Sequence, residues 1–344
     1  MRFEEIGVFD VVHKHLAWPW VAINVSRTRF AFASSENEIS TRVLDGARIE
    51  HGPTFRLPQG LVLPGKPAPA AGHRGAEAGI HGFSLSSELL AVTGVVEGKS
   101  VLVTLDPQGE QRRSRVDELT GGDFTAHALA FDRSGARLWI SAENGTQTAL
   151  MLVDARTHAL VGVVESEPFP PPSFHELHVH PQDDAVLLLA ACGQDGTFAR
   201  VVGFTDGPPV AIPTALDQGA ESAGFVGFSS DGARVHMVES DALRTHAWPG
   251  LYTLSTVNLA DGFSSSYSGV VLGHRILIDG TDTETGDSDL VMHFDPTALR
   301  GVQLKPPAPS GMWVGRLGAD AIVTVESKGD PARGRVIRLP APEN

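Results

Sequence analysis

The sequence predicts an all-β chain, a seven-bladed β-propeller of four-stranded antiparallel blades, and three observations predict it. The first is a phrase that recurs: GIHGFSLSSELLAVT from Gly79, HALAFDRSGARLWIS from His127, HELHVHPQDDAVLLL from His175 and GFVGFSSDGARVHMV from Gly224. Aligned without gaps, these copies place Phe83, Phe131, Val179 and Phe228 at one position, separated by 48, 48 and 49 residues. The second is the form of the phrase. Two apolar runs flank a polar turn, which at this period is the signature of a propeller blade. The third is composition: 37 Gly and 23 Pro supply the tight turns that many short strands need.

The blades follow in order. Blade 1 begins near Trp20 with VAINV and RFAFAS. The step from Val25 to Phe83 is 58 residues, and the Pro- and Gly-rich stretch PQGLVLPGKPAPAAGHRG accounts for the excess as a loop. Blade 2 starts near Gly79. Blade 3, from His127, reads most clearly as four strands: HALAF, ARLWISA, ALMLVDA and LVGVVES, with a hairpin signal at Asn144-Gly145. Blade 4 starts at His175 and blade 5 near Ala223. Blade 6 begins near Tyr267 with SGVVLGHRILIDG, and blade 7 near Trp313 with VGRLGADAIVTVES. Blade 7 lacks a fourth strand at the C-terminal end. FEEIGVFDV, residues 3–11, is expected to supply it and so close the ring. The pattern covers residues 1–344 without a linker, so one domain is expected, with almost no helix.

The chain is acidic, with 41 Asp and Glu against 27 Lys and Arg and a net charge of −14. This argues against nucleic acid and against an anionic membrane surface, both of which need a basic face. The single cysteine, Cys192, lies in the apolar run LLLAACG and reads as a buried structural thiol. No basic-then-apolar leader and no long apolar run appear, so a cytoplasmic location without membrane association is expected.

The phrases FDRSGARLWIS and FSSDGARVHMV resemble the bacterial seven-bladed propellers with WD-like or YVTN-like repeats. The resemblance covers nearly the whole chain and rests on pattern; no blade ends its third strand in Trp-Asp. It implies a toroidal fold. Such propellers include scaffolds, lyases, hydrolases and metal enzymes, so it does not choose a function.

In a blade with strands a to d from the channel outwards, the d-to-a connections and b–c turns emerge on one face, the top. The a–b and c–d turns emerge on the other. The chain has 14 histidines. His13, His15, His73, His127, His175 and His246 are expected at the top, with Trp18, Trp20, Trp248 and Trp313. His127 and His175 stand at equivalent places in adjacent blades and could converge on one divalent transition metal, since neutral imidazole suits Zn, Cu, Fe and Ni. Strand alternation allows packing between blades as the alternative. In FHELHVHP the same alternation sends His175 to one side and Glu176, His178 and His180 to the other, so the three histidines cannot all bind one ion: His175 can serve a top site, or His178 and His180 a separate one. Asp282, Glu284, Asp287 and Asp289 in GTDTETGDSD read either as oxygen ligands or as a solvated hairpin.

Two functions remain open. The first is a non-catalytic scaffold whose top face takes a protein or peptide partner through His15, Trp18, Trp20, His246, Trp248 and Trp313. The second is an enzyme or small-molecule-binding protein with a His-lined, metal-bearing site at the channel mouth, acting as a lyase, hydrolase or oxidase. A separation of the His127 and His175 rings beyond about 8 Å would exclude a shared ion.

Overall fold

The computed structural model describes residues 3–12, 21–61, 83–170, 174–205, 207–216, 222–286, 290–295, 300–304, 312–329 and 331–339. They form seven four-stranded antiparallel sheets around a common axis. In blades 1 to 6 the strands follow chain order outwards. Blade 1 is Val21–Ile23, Arg29–Ser35, Glu38–Asp45 and Arg48–Arg56; blade 3 is Thr125–Phe131, Arg137–Glu143, Thr148–Asp154 and Leu160–Ser166. Blade 4 is Phe174–Val179, Ala185–Ala191, Thr197–Gly203 and Val210–Ile212. In blade 7, Met312–Leu317, Ala321–Gly329 and Ala332–Arg338 are completed by Glu4–Val11, which pairs antiparallel with the last of them. The ring closes on its own first strand, as the sequence predicts. Helix is confined, among the described residues, to Val116–Thr120 and the single turn Gly193–Asp195.

The phrase repeats because its polar centre builds the same a–b turn each time. The residue after strand a is Asn24, Ser86, Asp132, His180 and Ser229 in blades 1 to 5, and each folds its side chain back onto the turn's amides. Asp132 Oδ1 accepts from Arg137 N at 3.1 Å, Ser229 Oγ from Arg234 N at 3.0 Å and His180 Nδ1 from Asp183 N at 2.7 Å. Side-chain acceptors of this kind offer backbone donors an alternative to the ladder and so favour turns. Gly135 and Gly232 stand at φ 72° and 69°, the left-handed region that glycine enters without steric cost.

Strands a to c read as continuous apolar runs because each blade is covered on both faces. Among the described residues the buried side chains form seven clusters, one in each joint between neighbouring blades. Alternation assigns them. Leu138, Ile140 and Ala142 of blade 3 face blade 2, while Trp139 between them faces blade 4. Val186, Leu188 and Ala190 face blade 3, and Leu187 and Leu189 face blade 5.

Two expectations need correction. Strand a of blade 6 begins at Phe263, ahead of Tyr267. A register shift between Ser265 and Ser268, with Tyr267 at φ 56°, interrupts the alternation that would have revealed its first half. In blade 5, His246, expected at the top, lies instead on strand c, Ala242–Ala247. The b–c turn is the short Glu239–Ala242 connection, closed by Glu239 N donating to Ala242 O at 2.8 Å.

Candidate metal centre

The second correction moves two of the expected top-face residues. His246 is the next-to-last residue of strand c of blade 5 and is buried on the bottom side, where its Nδ1 lies 3.2 Å from Leu251 O. Trp248 follows in the c–d turn. Its ring stacks on His180 at 4.6 Å and 7°, and its Nε1 donates to Asp183 Oδ2 at 2.8 Å. His180 in turn lies 2.8 Å, through Nε2, from Gly232 O. These groups lock the bottom of the joint between blades 4 and 5. Trp313 is on strand a of blade 7 near the top, but it is 8% exposed within the core between blades 6 and 7. His13, His15, Trp18, Trp20, His73, Asp287 and Asp289 lie outside the described residues. The described part of the acidic loop is an ordinary turn in which Asp282 Oδ1 accepts from Glu284 N and Thr285 N.

His127 and His175 do meet. Their ring centroids are 4.6 Å apart with planes inclined by 31°, at the top of the joint between blades 3 and 4. Local structure brings them there in different ways. Ala126 pairs with Ala142 and Ala128 with Ser141, so His127 is the extra residue of a β-bulge in strand a. A bulge re-aims the side chain it carries. His175 sits in regular register opposite Ala190 and is fully buried.

The third member is Glu143, the last residue of strand b in blade 3, which the sequence reading does not single out. Its Oε2 lies 3.9 Å from His127 Nε2 and 4.0 Å from His175 Nε2. One ligand atom from each of the three residues lies within 4.8 Å of the other two. His127 is 9% exposed, and the Glu143 side chain 12%. A sequence signal for Glu143 existed. The DRSG turn sets strand b antiparallel to strand a, and that register brings its last residue beside the first residues of strand a.

Neighbouring groups hold the cluster in place. Thr148 Oγ1 and Phe169 N each donate to Glu143 Oε1 at 3.2 Å, leaving Oε2 to face the imidazoles. Ser141 Oγ lies 2.7 Å from His175 Nδ1. Were Nδ1 the donor to the hydroxyl, Nε2 would keep its lone pair for an ion held between it and Glu143. The Phe169 ring meets His175 edge-on at 5.2 Å, and the Arg200 guanidinium covers Phe169 at 4.0 Å.

Two imidazoles and a carboxylate are a donor set for a first-row divalent ion. Bonds of about 2.0–2.2 Å bring such ligands to roughly 3–3.5 Å from one another, so the three atoms need to close by about 1 Å. Cys192 shares the apolar cluster between blades 3 and 4 and is buried. Burial first, then the negative charge of Glu143, pushes its thiol up to about 11, which makes it a packing residue rather than a nucleophile.

Among the described residues no helix is long and apolar enough to cross a membrane. The chain matches no protein-family model and no curated protein. The WD-like and YVTN-like character of the repeat therefore stands on its sequence pattern alone, and the propeller stands on its strands.

Proposed function

We propose that the protein binds one divalent transition-metal ion through His127, Glu143 and His175 at the top of the joint between blades 3 and 4. We further propose that it handles a small molecule at that ion. The observation that carries this reading is the approach of two imidazole Nε2 atoms to one carboxylate oxygen, 3.9 and 4.0 Å away, in a buried corner. Three protein ligands leave at least one coordination position for water or a ligand, the arrangement of catalytic rather than structural sites. A metal there supplies Lewis-acid chemistry, lowering the pKa of a bound water or polarising a carbonyl. The chain's own residues supply orientation: Thr148 and Phe169 fix the carboxylate, and Ser141 fixes the ring of His175. The fold is also consistent with an interaction scaffold. Of the residues expected on one recognition surface, the described ones stand apart: His246 and Trp248 are on the bottom and Trp313 is in the core.

The test is metal uptake by the purified chain, stripped with chelator and titrated with Zn²⁺ or Co²⁺. Uptake near one ion per chain is expected, with loss in the His127→Ala/His175→Ala double variant and in Glu143→Gln. Cobalt absorption reports the ligand field independently of any activity. No uptake by the parent chain, or equal uptake by the variants, would defeat the reading.

A further inference from the structure

The repeated phrase sets up one contact in two neighbouring joints, and only one joint makes it. The copies that start at Gly79, His127 and His175 equate His127 with His175 at their first place and Thr93 with Ser141 at their last. Between blades 3 and 4 those places touch: Ser141 Oγ lies 2.7 Å from His175 Nδ1. Between blades 2 and 3 the corresponding pair is Thr93 and His127. Alternation aims Thr93 across that joint, since Ala91, two residues before it, packs in the core shared with blade 3. Thr93 is fully buried, and its Oγ1 has no hydrogen-bond partner among the described residues. A buried hydroxyl left unbonded is costly, and native chains keep few of them.

The bulge in strand a of blade 3 accounts for the missing contact. In blade 4, His175 stands opposite Ala190. The corresponding residue of blade 3 is Ala142, and opposite it stands Ala126, not His127. Ala126 therefore holds the place that faces Thr93, buried in the core between blades 2 and 3, and its methyl offers the hydroxyl nothing. His127, the extra residue, turns across the other joint to His175. A slip of one residue exchanges the two sides of a strand. It would seat His127 opposite Ala142, with its ring towards Thr93, and move the extra residue into the connection ahead of the strand. Gly121 and Gly122 give that connection slack, and Gly121 already stands at φ 72°.

We propose that strand a of blade 3 is a register switch with two positions for His127. In the bulged register His127 faces Glu143 and His175. In the regular register it pairs opposite Ala142 and its imidazole bonds Thr93 Oγ1, as that of His175 bonds Ser141. The two exclude each other, because Ala126 and His127 compete for one place in the ladder. His175 already stands in regular register, so blade 4 supplies the fixed ligand of the centre and blade 3 the movable one. An ion bound to all three residues selects the bulged register, and its release frees His127 for Thr93. That coupling rests on the metal-binding reading; the two registers do not.

The experiment reads the surroundings of the His127 ring by nuclear Overhauser effects in the full, metal-stripped chain, with its signals assigned by their loss in His127→Gln. Thr93→Val keeps the shape and removes the hydroxyl; Thr93→Ser keeps the hydroxyl. In the stripped parent and in Thr93→Ser, a ring environment beside the side chain of residue 93 is expected, alone or together with one beside the His175 ring. Zn²⁺ should leave only the His175 environment, and Thr93→Val should show only that one without metal. Zn²⁺ affinity of Thr93→Val should exceed the parent's by the reciprocal of the bulged fraction, about twofold if the stripped parent divides equally and about tenfold if one chain in ten is bulged. A stripped parent with the His175 environment alone, or a Thr93→Val chain that keeps both, overturns the switch. If the parent takes up no Zn²⁺, the metal-binding reading fails, and the ring environments without metal still decide between one register and two.

Discussion

Glu143 has two oxygens with different tasks, and the difference is testable one atom at a time. Oε1 is held by Thr148 Oγ1 and Phe169 N; Oε2 is the atom near both imidazoles. Outer contacts of this kind commonly change metal affinity by about 10- to 100-fold. Thr148→Val keeps the shape and deletes one donor, so Zn²⁺ affinity should fall by about tenfold in competition with a chromophoric chelator. Ser141→Ala, which frees the ring of His175, should do the same. Unchanged affinity in both would mean the carboxylate and ring are positioned by packing alone. Away from this site, burial lowers the pKa of His158 and of His236 to about 4. His158 sits between Thr104 Oγ1 and Ser114 Oγ, and His236 beside Thr245 Oγ1. The folded chain keeps both rings neutral, whereas the unfolded chain protonates them near pH 6.5, so below that pH the unfolded state binds more protons. Stability is full above about pH 6.5 and should fall as the pH drops towards about 4, by roughly 2–3 kcal/mol for each ring. Denaturant midpoints across that range should show the decline, and His236→Gln should flatten part of it.

At the scale of single elements, strand b of blade 3 is the most informative. Its odd residues and even residues serve different joints, and Trp139 fills the one shared with blade 4. Trp139→Ala should cost about 3–5 kcal/mol, the range for a large buried aromatic, read as a lower denaturant midpoint. A loss below about 1 kcal/mol would mean the joint collapses onto the gap. The same strand shows what the sequence could reveal. Alternation and the DRSG turn make the strands readable, because both follow from period-two geometry. The meeting of His127 with His175 does not, since Leu129 and Phe131, in phase with His127, face blade 2 and the bulge turns His127 towards blade 4. The bulge at His127 left no mark, since one extra residue shifts register without changing composition. Glu143 was hidden by its place in ENGT, where it looks like solvated turn. Blade 5 misled for a related reason. ALRTHA mixes polar and apolar residues like a loop, yet Ala242 and Leu243 face its core and His246 is buried among hydrogen-bond partners. The loop-like composition therefore points His246 and Trp248 to the top of the ring, whereas the structure has them at the bottom.

For the molecule as a whole, stability depends on closure. Each blade packs only on its two neighbours, so an open ring would leave two exposed joints and an unpaired edge. Glu4–Val11 removes both liabilities, pairing along Ala332–Arg338 and placing Phe9 and Val11 in the core shared by blades 7 and 1. Phe9 packs at 4.9 Å from Phe30 and 4.7 Å from Phe32, and its ring lies over Gly334, where a Cβ would stand 2.2 Å from it. Arg335 adds ion pairs to Glu5 on the closing strand and Glu326 on the neighbouring one. Deleting residues 1–11 loses this ladder and three buried apolar side chains, Phe3, Phe9 and Val11, each worth about 1.5–3 kcal/mol. The thermal midpoint should drop by on the order of 5–10 °C. Gly334→Val should reproduce much of that drop without shortening the chain, by displacing Phe9 from its seat. A synthetic peptide of residues 3–11 should restore part of the midpoint to the truncated chain, because its docking edge would still be present, but not to Gly334→Val. An undiminished midpoint after the deletion would show that the six complete blades and the three-stranded remainder hold the ring by packing alone.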